Sequence, residues 1–165
     1  MNAEAMHTST DRSRRPAPAT ARRLTIHDRL GHTRSRYRRI LAAEAYWAMQ
    51  FGSLLIDTRD GEQLRRDGLI PGALDINRTV LEWRIDPESG ATHPAITSLH
   101  MPLILLCHEG YSSTLAVASL LDLGATDVTD VEGGFEAWRA AGLPVTPYGT
   151  LTYQRWSGER VRQSW

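Results

Sequence analysis

The sequence contains no lysine and a single cysteine, Cys107. One cysteine cannot form an internal disulfide, and it also excludes a Cys-x-x-Cys redox pair and a cysteine-rich zinc site. A lone thiol is typical of a reducing compartment, so we expect a cytoplasmic protein. No apolar run approaches the roughly 20 residues that cross a membrane. No apolar stretch follows the arginine pairs at 14–15 and 22–23, so neither a membrane anchor nor a secretory signal is expected.

Positive charge is concentrated in the first quarter of the chain. Residues 1–39 contain ten arginines and three acids, whereas residues 40–165 contain nine arginines and sixteen acids. Such a basic segment can contact nucleic acid or an acidic surface. Residues 1–35 are also strongly polar, and Pro16 and Pro18 oppose a continuous helix there. We therefore interpret residues 1–35 as an arginine-rich disordered arm, and we do not expect nucleic acid as a partner.

Residues 36–147 form the predicted folded domain, and residues 148–165 are interpreted as a weakly packed tail. Within the domain, short apolar strands alternate with helices, which predicts an α/β fold. The apolar run Leu103–Leu106 does not alternate, so this strand is expected to be buried on both faces. Strands are predicted at 53–57, 72–76, 103–107 and 127–131, and helices at 40–50, 60–68, 79–85, 112–124 and 135–142.

The segment CHEGYSS (Cys107–Ser113) connects the buried strand to the next helix. Gly110 permits a sharp turn, and a short loop before a helix N-terminus points several N–H groups inward, which forms a cradle for negative charge. Helix N-termini lower the pKa of a cysteine to roughly 3.5–7.5. A buried cysteine without a chemical role is the alternative. The glycine- and hydroxyl-rich loop, followed by a helix predicted to have a serine cap, favours a reactive thiol.

Several thiol chemistries lack a residue that they need. A tyrosine phosphatase needs Cys-x5-Arg to clamp the phosphate, but Ser113 occupies the arginine position. A thioredoxin-like reaction lacks its second cysteine, and a cysteine protease needs a positioned base. His108 is adjacent to Cys107, and neighbouring side chains on a tight loop seldom hydrogen-bond productively. What remains is the uptake of a sulfur atom as a persulfide and its transfer to an acceptor.

Four segments, in order, resemble the single-domain rhodanese family of thiosulfate sulfurtransferases. The resemblance covers about residues 40–145, and Leu69 stands where the family usually has histidine. The four segments are LLIDTRDGEQ (Leu54–Gln63), GLIPGALDI (Gly68–Ile76), CHEGYSS (Cys107–Ser113) and GGFEAWRAAGLPV (Gly133–Val145).

This resemblance implies a doubly wound, mostly parallel five-stranded sheet flanked by helices, with Cys107 as the nucleophile. It implies a small anionic donor such as thiosulfate and a thiol acceptor, with a protein thiol among the candidates and cyanide as the assay acceptor. No metal and no organic cofactor are expected. The loop residues that the resemblance assigns to binding the persulfide and the leaving sulfite are His108, Glu109, Gly110, Tyr111, Ser112 and Ser113.

The chain departs from the family at the loop. Many members carry an arginine or lysine near Ser112, whereas Glu109 here adds a negative charge beside a site for a dianion. His108 or Arg84 could offset that charge. Asp57 and Arg59 either lie near the mouth of the site or form an ion pair that fixes a loop, and we favour the ion pair.

Two further hypotheses use the same fold. The first is a non-catalytic rhodanese-like module that binds an anion or senses sulfur or redox species. The missing loop cation and Glu109 favour it. The second is oxidative sensing through a sulfenic acid on Cys107, which predicts reaction with peroxide without sulfur transfer.

Overall fold

A computed structural model of the chain describes residues 23–149. Most of the predicted arm and nearly all of the predicted tail lie outside these residues. Within the described range, no helix is long and apolar enough to cross a membrane. The helices are α1 Ile26–Arg34, α2 Ala42–Gln50, α3 Gly61–Asp67, α4 Leu81–Ile85, α5 Ser112–Asp122 and α6 Gly134–Ala140, with a 3₁₀ turn at Arg78–Val80. The strands are β1 Leu54–Asp57, β2 Leu74–Asp75, β3 Leu103–Leu106 and β4 Val128–Asp130.

The strands form one parallel sheet in the order β2-β1-β3-β4, which confirms the predicted α/β fold. The part of the chain that the structure describes has four strands, not the five expected. Ile40 makes an isolated parallel bridge with Val131 beside β4, where a fifth strand would lie. The pairing stops there because Leu41 is already the N-cap of α2.

Side chains of β3 alternate between two apolar clusters, one on each face of the sheet. Leu103 and Leu105 belong to the cluster that α4 and α5 cover, whereas Ile104 and Leu106 belong to the cluster under α2 and α6. All four are almost completely buried. The predicted burial of this strand on both faces is therefore confirmed, and Cys107 follows directly after it.

Residues 23–35 differ from the expected disordered arm, because most of them form helix α1. Thr25 and Asp28 form a reciprocal capping box at its start. Leu30 and Thr33 are buried, and α1 packs against α5. Only two of its nine residues are buried, so a largely polar helix is held by a narrow contact with α5.

Candidate active site

Strand β3 brings Cys107 to the carboxyl edge of the sheet, where open α/β sheets bind ligands. Cys107 follows the last strand residue, Leu106, and is 5% exposed. The loop from Cys107 to Tyr111 then turns back into α5. Gly110 has φ +76°, and a side-chain carbon there would lie 2.8 Å from the backbone nitrogen of Gly133. The turn therefore requires glycine for both its conformation and its space.

The sulfur of Cys107 accepts hydrogen bonds from two backbone N–H groups. The N–H of Gly110 lies 3.1 Å from Sγ, and the N–H of Ser113 lies 3.3 Å away. Ser113 is the second residue of α5, and the N-cap residue Tyr111 makes no side-chain capping bond. The sulfur thus occupies the position that a capping oxygen usually takes. The expected serine cap is wrong, because the Ser113 N–H at the start of α5 donates to the Cys107 sulfur and not to a serine hydroxyl.

These donors favour the ionised sulfur. Burial alone would raise the pKa of the Cys107 thiol. The hydroxyls of Ser112 and Ser113, together with the N–H groups of Ser113 and Gly110, outweigh burial and lower the pKa below its ordinary value. The arrangement therefore favours a negative charge on this sulfur, as in a thiolate or a persulfide anion.

Ser113 connects the thiol to a buried carboxylate, that of Asp130 at the end of β4. The Cys107 thiol donates to Ser113 Oγ at 3.3 Å, and Ser113 Oγ donates to Asp130 Oδ2 at 2.8 Å. A hydroxyl has one hydrogen, so Ser113 can turn that hydrogen to the sulfur once the thiol has ionised. Asp130 would keep its bond from the Thr114 hydroxyl at 3.1 Å.

Asp130 is fully buried. Two side chains from the segment before α2 donate hydrogen bonds to its carboxylate. Arg39 donates to both carboxylate oxygens, from Nε at 2.7 Å and from Nη2 at 2.9 Å. The Tyr37 hydroxyl donates to Oδ1 at 2.8 Å. Burial and the Asp130 charge raise the pKa of Tyr37, so it remains a neutral donor. The buried carboxylate thus has a guanidinium and a hydroxyl as hydrogen-bond donors, which offset the cost of its burial.

Helix α6 packs end-on against the cysteine loop. The N–H of Phe135 donates to the Cys107 carbonyl at 2.8 Å, and the N–H of Glu136 donates to the His108 carbonyl at 3.0 Å. A side-chain carbon on Gly134 would lie 2.3 Å from the Cys107 carbonyl oxygen. Gly134 is therefore what allows α6 to approach the loop this closely.

The structure separates the predicted loop residues into two groups. Gly110, Ser112 and Ser113 surround the sulfur. His108 instead faces α3 and α6, with Nε2 3.3 Å from Asp67 Oδ2 and 3.4 Å from a Glu136 carboxylate oxygen.

Two other loop side chains point outward. The carboxylate of Glu109 is 67% exposed, so solvent screens its charge. Tyr111 is also exposed, and the guanidinium carbon of Arg34 lies 5.8 Å from its ring centre.

Asp57 and Arg59 form a fully buried ion pair, with Nη2 and Oδ2 2.7 Å apart. Arg59 also donates to the Gly68 carbonyl at 2.9 Å and stacks 3.7 Å from the centre of the Phe135 ring. The pair thus joins β1, the end of α3 and the start of α6. These contacts favour the predicted ion pair that fixes a loop over a role at the mouth of the site.

Arg84 does not fill its predicted place beside the loop. Its guanidinium donates instead to the Ala91 carbonyl at 3.1 Å, in the segment after α4.

Sequence reasoning also missed Arg34, Arg39 and Asp130. Asp130 ends the strand next to β3, a position that could have signalled it, but the two arginines lie in or next to the segment assigned to the arm.

Among residues 23–149, no group of three or more His, Cys, Asp and Glu side chains could hold a metal ion. The described site offers one nucleophile, inward N–H groups and a hydroxyl that can donate to either side. These groups can bind an anion beside a thiolate. They can also stabilise the negative terminal sulfur of a persulfide formed on the cysteine.

Comparisons with known proteins show which family the chain resembles. Residues 41–141 match the family "Rhodanese-like domain". The "Thiosulfate sulfurtransferase GlpE" of Pseudomonas savastanoi pv. phaseolicola is 34% identical over 104 residues, which cover 63% of this chain and 89% of that protein. The same-named protein of Pseudomonas syringae pv. syringae is 33% identical over 103 residues, covering 62% and 88%.

Solved structures show the same fold. A protein of unknown function from Rhodopseudomonas palustris, described as a "Possible Tyrosine Phosphatase", superposes with a TM-score of 0.68 at 33% identity. The match covers 79% of this chain and all of that one. A "rhodanese-related protein" from Thermoplasma volcanium superposes with a TM-score of 0.53 at 27% identity, covering 67% and 98%.

Proposed function

This chain belongs to the rhodanese family, and from that premise we propose that it is a thiosulfate sulfurtransferase whose Cys107 carries the transferred sulfur as a persulfide. The observation that supports this most is the pair of N–H groups, from Gly110 and Ser113, aimed at the Cys107 sulfur. They stabilise a negative charge on sulfur in the free enzyme. After transfer, the same cradle holds the terminal persulfide sulfur, which is also negative.

The first half-reaction forms one S–S bond and breaks another. The Cys107 thiolate attacks the outer sulfur of thiosulfate, and the S–S bond of thiosulfate breaks as sulfite leaves with the electron pair. The three negative charges of the reactants become one on the persulfide and two on sulfite. Sulfur is exchanged between the two partners without an outside oxidant. The chemistry calls on neither a metal nor an organic cofactor.

The second half-reaction returns the enzyme to its thiolate. A nucleophile, a thiol in the cell or cyanide in an assay, attacks the terminal sulfur and leaves Cys107 with a negative charge. The thiol acceptor can belong to another protein, because the loop that begins at Cys107 also contains exposed residues such as Tyr111. A sulfur carrier of this kind needs a reduced thiol, which fits the cytoplasm.

Phosphatase activity would need a different loop. The solved relative from R. palustris is described as a "Possible Tyrosine Phosphatase". In this chain Ser113 stands where a phosphatase places its phosphate-clamping arginine. Arg34 and Arg39 do reach the loop, but both donate to the Gly110 carbonyl. A guanidinium donating to that carbonyl is not oriented to clamp a bound phosphate, and so we assign sulfur transfer.

Persulfide formation can be tested directly by intact-protein mass spectrometry. Incubation with thiosulfate should add the mass of one sulfur atom, and subsequent cyanide should remove it and yield thiocyanate. Cys107→Ser should lose both signals while retaining the wild-type circular dichroism spectrum and melting temperature, because the hydroxyl can still accept from Gly110 and Ser113.

Other outcomes would reject the proposal. Full sulfur transfer by Cys107→Ser would exclude the mechanism. An absent mass gain with thiosulfate and with polysulfide, in a protein whose thiol still reacts quickly with iodoacetamide, would favour a binding or sensing module. Rapid oxidation by peroxide in the absence of sulfur transfer would favour the sulfenic acid hypothesis.

A further inference from the structure

The carbonyl of Gly110, on the outer side of the cysteine loop, accepts hydrogen bonds from two guanidinium groups. Arg34 Nη2 donates at 3.1 Å, and Arg39 Nη2 donates at 3.0 Å. Both arginines come from the segment that precedes α2, more than 70 positions away in the sequence. Two guanidinium groups on one carbonyl are a strong constraint on a loop of five residues.

This constraint acts on Gly110, the residue whose own N–H faces the sulfur. Gly110 uses its N–H to donate to Cys107 Sγ at 3.1 Å while its carbonyl is held from outside. In a trans peptide the C=O and the following N–H point in opposite directions. Fixing the carbonyl outward therefore keeps the N–H of Tyr111 directed away from the two arginines. The two hydrogen bonds also polarise the peptide unit between Gly110 and Tyr111, so that the Tyr111 N–H is more positive.

The two arginines contribute charge differently. Arg39 is matched by the buried carboxylate of Asp130, so its positive charge is largely compensated. Arg34 is half-buried and makes no ion pair within residues 23–149. Its Nε donates to Thr114 Oγ1 at 3.3 Å, and its guanidinium lies over the Tyr111 ring. Arg34 thus brings a positive charge to Gly110, Tyr111 and Thr114, and no carboxylate within residues 23–149 forms an ion pair with it.

The segment from Cys107 to Ser113 has no arginine or lysine of its own. The carboxylate of Asp130, behind the loop, is paired with Arg39. Asp67 on α3 and Glu136 on α6 lie next to His108. Glu109 is exposed. We propose that Arg34 is a positioning residue that supplies, from helix α1, the positive charge that the cysteine loop lacks, and that fixes the Gly110 turn through its carbonyl. This inference rests on the proposed sulfur transfer and adds a residue to its machinery.

Helix α1 is then part of the active site rather than an appendage. It places Arg34 at its last position, it packs against α5, and its buried residues are Leu30 and Thr33. Arg36, two residues later, pairs with Asp122 at the far end of α5 at 2.9 Å, away from the loop. The two arginines are thus close in sequence and equal in charge, and they differ in whether they touch the loop.

The test is the pH dependence of Cys107 alkylation by iodoacetamide, measured on the full chain without any sulfur donor. Arg34→Gln should raise the thiol pKa by about half a unit, the usual size of one nearby charge at a helix terminus. Arg36→Gln removes the same charge from the same segment and should leave the profile unchanged. Arg34→Lys retains the charge and should recover most of the wild-type pKa. Circular dichroism melts check that all three variants are folded.

Three results would overturn the proposal. These are a wild-type profile in Arg34→Gln, an equal shift in Arg36→Gln, or a profile of Arg34→Lys that matches Arg34→Gln. The readout does not depend on sulfur transfer, so it separates the two proposals. If no persulfide ever forms, the proposed function fails, while the alkylation profiles still decide what Arg34 does.

Discussion

Replacing Gly134 with alanine should weaken the junction between α6 and the cysteine loop, because the surrounding backbone leaves no room for the added methyl group. Gly134 has φ +58°, and the added carbon would lie 2.3 Å from the Cys107 carbonyl oxygen and 2.7 Å from the Gly110 nitrogen. Both neighbours are backbone atoms that cannot rotate away. The helix would have to move off the loop, which would lengthen the bond from Phe135 N–H to the Cys107 carbonyl.

The magnitude follows from two contributions. A left-handed conformation costs a residue with a side chain about 1–2 kcal/mol, and overpacking a tight contact costs about 1–3 kcal/mol. Gly134→Ala should therefore lower the free energy of unfolding by about 2–5 kcal/mol. Gly142→Ala is the matched control, because Gly142 has φ +66° and no heavy atom within 4 Å of the added carbon. It should lose only the conformational part, about 1–2 kcal/mol.

Urea denaturation followed by circular dichroism measures both losses, with the slope of free energy against urea as a check on two-state unfolding. The iodoacetamide profile gives a second readout, since a displaced Gly110 N–H would raise the thiol pKa in Gly134→Ala alone. Equal losses in the two variants, together with identical alkylation profiles, would refute the idea that close approach to the loop requires this glycine.

Two further predictions concern ionisation. Ser113→Ala removes the hydroxyl 3.3 Å from Cys107 Sγ and should raise the thiol pKa by about half a unit to one unit, as expected for one hydrogen bond; an unchanged alkylation profile would contradict this. Partial burial and the neighbouring Asp57 carboxylate raise the pKa of Asp75 to about 6, although residue Asp75 keeps solvent contact. Its protonated form is thus favoured in the folded state, and stability should fall as pH rises from about 4 to 6 through the two pKa values. Asp75→Asn should reduce that fall in urea titrations at several pH values, and a pH dependence equal to that of the wild type would count against it.

Much of the fold could be predicted because its signals are local. The apolar run Leu103–Leu106 indicated a strand buried on both faces, and β3 is such a strand. Glycine at the turn and hydroxyl residues before a helix indicated a loop that favours negative sulfur. Both inferences depend only on residues close together in the chain, where backbone geometry leaves few alternatives.

Helix α1 escaped prediction for a physical reason. Its sequence is polar and rich in arginine, which is also the composition of a solvated arm. The helix begins with a capping box, packs against α5 and has two buried residues, Leu30 and Thr33. A contact that narrow produces no clear apolar periodicity, so the surface that stabilises α1 is visible only when α5 is in place.

Local sequence patterns were enough to specify the class of the fold, the position of Cys107 after a buried strand, and the sulfur chemistry that the loop favours. The surroundings of that loop, by contrast, depend on how distant segments pack. Arg34, Arg39 and Asp130 are separated by up to 96 positions in the sequence, yet all three bind the same few atoms behind the cysteine loop. Parallel strands with helical crossovers bring distant segments to one edge of a sheet. Which charges meet there depends on packing, and no local pattern in the chain records it.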